Sequence, residues 1–181
     1  KIFAGELAPG AKLDLDLLER KLRVSRTPIS VALARLSEEG LVTVAPRRGT
    51  FIRGLSAEDV AEVWDIRRGL ELLAAETGIA NVTDRELAQL RSILDRLGEI
   101  HESTNEDYVE FVGLDRQFHI SLLELARNRR LVDMYKGLHT DLINARLFYH
   151  GRSRSWAITD AEHQAILRAY EQGDLDAARA A

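Results

Sequence analysis

Apolar residues recur with helical spacing along most of the chain, and with strand-like alternation at one place. Leu15, Leu18 and Leu22 keep a helical interval behind Asp14, a good N-cap residue. After a three-residue break at Arg23-Val24-Ser25, Ile29, Ala32, Leu33 and Leu36 fall at i, i+3, i+4 and i+7, one stripe of a second helix. Ser25 can cap it by accepting a backbone N–H, and Pro28 is tolerated because the first turn lacks intrahelical donors. Arg26, Thr27, Ser30 and Ala34 lie on its other face. Past Gly40 the pattern changes: Leu41-Val42-Thr43-Val44 alternates, Pro46-Arg47-Arg48-Gly49 turns, and Thr50-Phe51-Ile52 returns. This predicts a two-stranded hairpin with a basic tip.

Gly54-Leu55 reads as a hinge, and beyond it the period is helical throughout. Apolar residues repeat through Val60–Ile79, Leu87–Ile100, Tyr108–Ala126, Leu131–Tyr149 and Ala161–Tyr170, and Gly173-Asp174 restarts the chain into Leu175–Ala181. Capping boxes are expected at Ser56–Asp59, Thr83–Glu86 and Thr159–Glu162. Six helices joined by short links predict an antiparallel bundle. The only longer link is the basic stretch at 150–155. The fold class is therefore mainly α, with a head at 1–54 and an all-helical body at 55–181. Residues ahead of the Leu7-Ala8-Pro9-Gly10 turn read as the stub of a helix whose start is trimmed.

Charge sharpens this division. The whole chain carries −4, which argues against a polyanion partner. The head, however, holds ten Lys/Arg against six Asp/Glu, and the body fifteen against twenty-three. A basic head on an acidic body is the asymmetry expected when one part meets phosphate. The chain has no cysteine, which excludes thiolate metal sites, disulfides and Cys nucleophiles and fits a reducing cytosol. No apolar run approaches the length of a membrane span and no signal peptide is evident, so a cytoplasmic location is expected.

A short helix with Arg and Thr at its exposed N-terminus suits insertion into a DNA major groove. With its flanks it resembles the winged helix-turn-helix of the GntR family of bacterial transcription regulators. The resemblance rests on Gly5-x-Leu7-x-Pro9-Gly10, Val24-Ser25-Arg26-Thr27-Pro28, Ala32-Leu33-x-Arg35-Leu36-x-x-Glu39-Gly40-Leu41 and Pro46-x-Arg48-Gly49-Thr50-Phe51. It implies operator binding. Arg26 and Thr27 would contact bases and phosphates, and Arg48 and Gly49, beside Arg47, would approach the minor groove. Ser30 stands where the family usually carries a basic residue. Serine cannot make the bidentate guanine contact of arginine, so the operator should differ there.

In the body, Phe111, Leu114, Phe118, Leu122 and Leu125 form one seam, and Asp115 and His119, four apart, sit about 100° round from it. A carboxylate and an imidazole facing inward either pair with each other or hold a cation together. His163, on another predicted helix, is a third candidate. Such nitrogen and oxygen donors suit zinc, nickel or manganese rather than calcium.

The body resembles the FCD ligand-binding domain of the FadR/VanR branch of GntR regulators. The matching text is Arg67-x-x-Leu70-Glu71, Asp115-x-x-Phe118-His119-x-x-Leu122, Asn128-x-x-Leu131 and Glu162-His163-x-x-Ile166-x-x-Ala169-x-x-x-Gly173-Asp174-x-x-x-Ala178. It implies a divalent metal on Asp115, His119 and His163, with a further His about 22 residues beyond His163, past Ala181. Six helices would suggest the VanR-type variant. In metal-bearing relatives a small carboxylate effector completes the shell. Arg67 matches a family position for fixing its charge, and Asn144 and Arg146 are weaker candidates. His101, His139 and His150 match nothing.

Two functions follow. One is a homodimeric, effector-controlled transcription regulator that binds double-stranded operator DNA. The other is a metal hydrolase built on the bundle. Against the second, there is no His-Glu-x-x-His, no evident general base and no Gly-x-Ser-x-Gly elbow.

Overall fold

The computed structural model describes residues 7–100, 105–149 and 156–181, with Asn105, Glu106, Ala145, Arg146, Phe148, Tyr149, Trp156 and Ala157 described by backbone alone. The expected N-terminal stub, His101 and the basic link at 150–155 lie outside the described residues. The chain divides into two compact units, 1–57 and 58–181. Among the described residues no helix is long and apolar enough to cross a membrane.

The first unit holds α1 (Leu15–Leu22), α2 (Arg26–Glu38), β1 (Val42–Ala45) and β2 (Gly49–Ile52). Asp14 caps α1 as expected, accepting from the Leu17 N–H. Ser25 occupies the cap position of α2 in extended conformation, yet its side chain makes no capping bond, contrary to expectation. Arg23 takes the left-handed conformation that turns the chain between the helices. The strands pair antiparallel, Val42 opposite Ile52 and Ala45 opposite Gly49. The segment before α1 joins them, with a bridge at Lys12–Phe51 and a Leu13 N–H bond to the Thr50 carbonyl. The hairpin pattern alone did not reveal this third, single-bridge edge. Leu13, Ile29, Leu33, Val42 and Ile52 close the head's core. Ala32 is exposed, so the stripe on α2 is narrower than its spacing suggests.

The second unit holds α3 (Ala57–Gly78), a 3-10 turn (Ile79–Asn81), α4 (Asp84–Glu99), α5 (Asn105–Leu125), α6 (Arg129–Lys136), α7 (Thr140–Tyr149), α8 (Trp156–Gln172) and α9 (Leu175–Ala180). Among the described residues these are seven α-helices rather than six, and the helix expected over Leu131–Tyr149 is two. Gly137 ends α6, and His139 takes a positive φ of 50° before α7 starts. Periodicity registers which residues are apolar but not the backbone reversal between them. The helix count therefore no longer points to the VanR-type variant. The Thr83–Glu86 capping box forms in full. Thr159–Glu162 starts nothing, because α8 is already under way from Trp156.

α5 is the axis of the bundle: it packs against α4, α6 and α7, while α4 also meets α8. Phe118 and Leu123 on it are fully buried. One apolar cluster gathers Leu90, Leu94, Phe118, Leu122, Leu167 and Tyr170, and another gathers Ala74, Leu123, Leu131 and Tyr135. The end of α3 reaches α5 through Gly78, where an added Cβ would stand 2.9 Å from the Leu125 carbonyl carbon and 3.1 Å from the Ala126 nitrogen. Backbone on both sides cannot rotate away. Gly78→Ala is therefore expected to destabilise the body by about 1–3 kcal/mol, the usual cost of overpacking. A urea titration with an unchanged midpoint would refute it.

Candidate metal centre and DNA-reading head

Asp115 and His119 come from one face of α5, stacked by the i, i+4 spacing, and His163 comes from the middle of α8. All three side chains are buried. The Nε2 atoms of His119 and His163 stand 3.1 Å apart, and Asp115 Oδ1 lies 3.3 Å from the His163 Nε2 and 3.8 Å from the His119 Nε2. Helix geometry supplies the first pair. Only the packing of the bundle brings in the third residue, 44 positions along the chain.

Behind His119 lies Glu71 of α3, its Oε1 2.8 Å from Nδ1, an ion-pair distance although the contact lacks full hydrogen-bond geometry. Glu71 also accepts from the Nε–H of Arg67 at 3.0 Å. Arg67 lies over the Trp64 ring at 5.6 Å and the Tyr135 ring at 5.9 Å, and its side chain is only 13% exposed. It is thus no solvated surface charge. The sequence reading passed over Glu71 as a functional group, although the Arg67-x-x-Leu70-Glu71 text contains it.

These neighbours set the charge states. Burial pushes the Glu71 carboxyl up, but the adjacent His119 and Arg67 hold it down to about 2. Burial likewise works against Asp115, whose hydrogen bond with His163 and the nearby His119 and Arg67 keep it below the ordinary range. Burial and the Arg67 charge push His119 down, opposed by Glu71 and Asp115. Burial would weaken Arg67, but Glu71, Tyr135 and Asp115 more than compensate, so it stays a cation.

Do these residues fit a metal ion? Donors about 2.0–2.2 Å from one ion, at tetrahedral or octahedral angles, stand roughly 3–3.5 Å apart. Two of the three edges here meet that, and the third is little longer. Glu71 faces the outward nitrogen of His119, the carboxylate–histidine arrangement that turns Nε2 inward as an acceptor. The group Asp115, His119 and His163 could therefore hold a metal. The Nδ1 of His163 is buried without a hydrogen-bond partner among the described residues.

The donors open onto a cavity of about 630 Å³ in the second unit, lined also by Arg67, Glu71 and Asn144. Arg67 and Asn144 thus line the same cavity as the three donors. The side chain of Arg146 lies outside the described residues. His139 is half-buried and does not line the cavity.

In the first unit, Arg26 and Ser30 of α2 share a groove of about 860 Å³ with Arg47, Arg48 and Gly49 of the hairpin tip. Thr27 is exposed on α2 but does not line that groove. Arg26 pairs with Asp16 of α1, and its Nε lies 3.5 Å from Glu19. Lys12 also lines the groove, and the sequence reading did not single it out. Its stem crosses Gly49, where an added Cβ would meet Cε at 2.6 Å and push the flexible end of Lys12 aside; the φ of +119° is what reserves that position for glycine.

Residues 1–52 match the family of bacterial regulatory proteins, gntR family, and residues 62–181 match the FCD domain. The chain belongs to the GntR family. It is a DNA-binding transcriptional regulator with an FCD domain, and not an enzyme. It is 33% identical over 176 residues to an uncharacterized HTH-type transcriptional regulator in an unstable DNA locus of Streptomyces ambofaciens, covering 97% of this chain and 73% of that one. It is 32% identical to the uncharacterized HTH-type transcriptional regulator YdhC of Bacillus subtilis, over 98% of this chain and 79% of that one. Among solved structures, McbR/YncC of Escherichia coli superposes with a TM-score of 0.72 at 24% identity, covering 99% of this chain and 84% of that one, a likeness of fold. The GntR head is thus the winged helix-turn-helix, and the FCD domain is the helical unit that carries the buried donors.

Proposed function

We propose that this GntR regulator binds operator DNA as a homodimer, under control of a small carboxylate effector at a divalent transition metal on Asp115, His119 and His163. The observation that carries the reading is the convergence of three buried donors on one point beside a cavity lined by the half-buried Arg67. Zinc, nickel and manganese all suit two imidazoles and a carboxylate. When bound, the ion supplies a positive point charge with coordination positions that an effector carboxylate can complete. Glu71 orients His119, while Arg67, whose Nε–H is bonded to Glu71, has its terminal amino groups for the effector among the described residues. Asn144 offers an amide on the cavity wall. The required coupling between effector and DNA is typically 1–3 kcal/mol.

At the DNA, Arg26, Thr27 and Ser30 meet the major groove and Arg47, Arg48 and Gly49 the minor groove. A helix in one groove and a hairpin tip in the next straddle the phosphate strand between them, and Lys12 lies in that intervening groove. Lys12 therefore contacts phosphate. Lys12→Ala should weaken binding to all sequences alike and reduce the slope of log affinity against log salt by about one. An unchanged slope would remove it from the interface.

The whole reading is tested by elemental analysis of purified protein together with gel shifts of operator DNA, run with and without organic acids. Absence of bound metal under metal-replete conditions would overturn the sensor half. Absence of any operator preference would overturn the reader half.

A further inference from the structure

Through its first turns the outward face of α2 carries methyl groups rather than charge. Ile29 and Leu33 are the buried residues of this helix. Val31 stands two residues from each, which on an α-helix places it about 160° round from both, straight opposite the head's core. Thr27 one turn before it and Ala34 one turn after complete a stripe at i, i+4 and i+7. All three are exposed, and Val31, at 54%, is the large apolar side chain that α2 leaves open among the described residues.

The fold of the head does not call for an apolar side chain at that point. Valine is among the weaker helix formers, and an exposed site gives it little packing to offset that. The surroundings are cationic. Arg26 opens the helix on one side of the stripe, Arg35 is exposed on the other, and Lys12, Arg47 and Arg48 line the groove alongside. Cations around a strip of methyl groups match the major groove, whose rims are phosphate and whose floor shows the C5-methyl of each thymine. Glu38, a carboxylate on the same face, stands about three turns after Thr27, whereas the N-terminal residues of a recognition helix are those that reach base edges.

Resting on the placement of α2 in the major groove, we propose that Val31 is a specificity-determining residue that reads thymine by its 5-methyl group. The two γ-methyl carbons of Val31 pack against that methyl, with the Thr27 methyl and Ala34 Cβ beside them. Ser30, next in the chain, is too short to hold the helix off the groove floor. Because valine offers neither donor nor acceptor, the contact senses the methyl alone.

The test starts from an operator selected out of random-sequence duplex DNA with the full chain. Each thymine of one half-site is then replaced singly by deoxyuridine, which deletes the 5-methyl and keeps every hydrogen-bonding group. Affinity by gel shift should fall about fourfold at one thymine, the worth of one methyl removed from water. Val31→Ala should bind the thymine operator at least about fourfold more weakly and lose nothing further with deoxyuridine at that position. Its slope of log affinity against log salt should stay unchanged, since no phosphate contact is lost. Alanine being the better helix former, its thermal stability should not fall. An operator that tolerates deoxyuridine throughout, or a Val31→Ala protein still sensitive to it at the same thymine, overturns the inference. So does a change in the mass of the protein in solution on Val31→Ala without DNA, which would give the face to a second copy of the chain. Failure to enrich any sequence sinks the operator reading and the inference with it; an enriched operator indifferent to the 5-methyl sinks the inference alone.

Discussion

His163→Ala is expected to abolish stable metal binding and, with it, the response of thermal stability to chelator. Removing the α8 donor leaves two ligands from a single helix, Asp115 and His119, with no second element to enclose an ion. Loss of a partner that merely orients a ligand costs about 10–100-fold in affinity, and loss of a ligand should cost more. The effect on stability follows from mass action. With metal at a thousand times its dissociation constant, the unmutated protein gains about 4 kcal/mol, which chelation takes away. The variant should show neither the gain nor the loss. Melting curves with and without chelator, together with metal content, check both statements. A chelator-insensitive melting temperature in the unmutated protein would show that the buried imidazoles serve packing alone.

Arg26→Ala is expected to reduce operator affinity about 10–100-fold, the value of a good bidentate base contact of roughly 1–3 kcal/mol, and to leave metal content unchanged. Its pairing with Asp16 and Glu19 could confuse the readout if the pair held α1 to α2. The Arg26 side chain is 57% exposed, however, and exposed pairs are worth about 0–1 kcal/mol. Stability should therefore change little while binding changes much. Binding of competitor DNA should fall less than binding of operator, because only operator offers the matching base. Equal losses on both would reassign Arg26 to the phosphates.

How much of this was legible beforehand differs by element. Asp14 at the start of α1 and the Thr83–Glu86 box before α4 are capping arrangements complete within four residues, and the structure forms them as read. The Asp115–His119 stack is likewise a property of one helix. Leu131–Tyr149 misled, because apolar spacing continues across Gly137-Leu138-His139 although the backbone there reverses. Thr159 misled in the opposite sense, its residue types promising a helix start inside a helix already formed.

The amino-acid order by itself determined a helix-turn-helix head with a basic hairpin, a helical body and the stacked Asp115–His119 pair on one helix. Those features follow from periodicity and from contacts between near neighbours in the chain. Only the tertiary structure decided that His163 faces His119 at 3.1 Å, that Glu71 stands behind His119, and that Lys12 lies against Gly49 at the tip of the wing. Each of these joins elements far apart in sequence, and their meeting depends on helix register and packing, which no local pattern encodes.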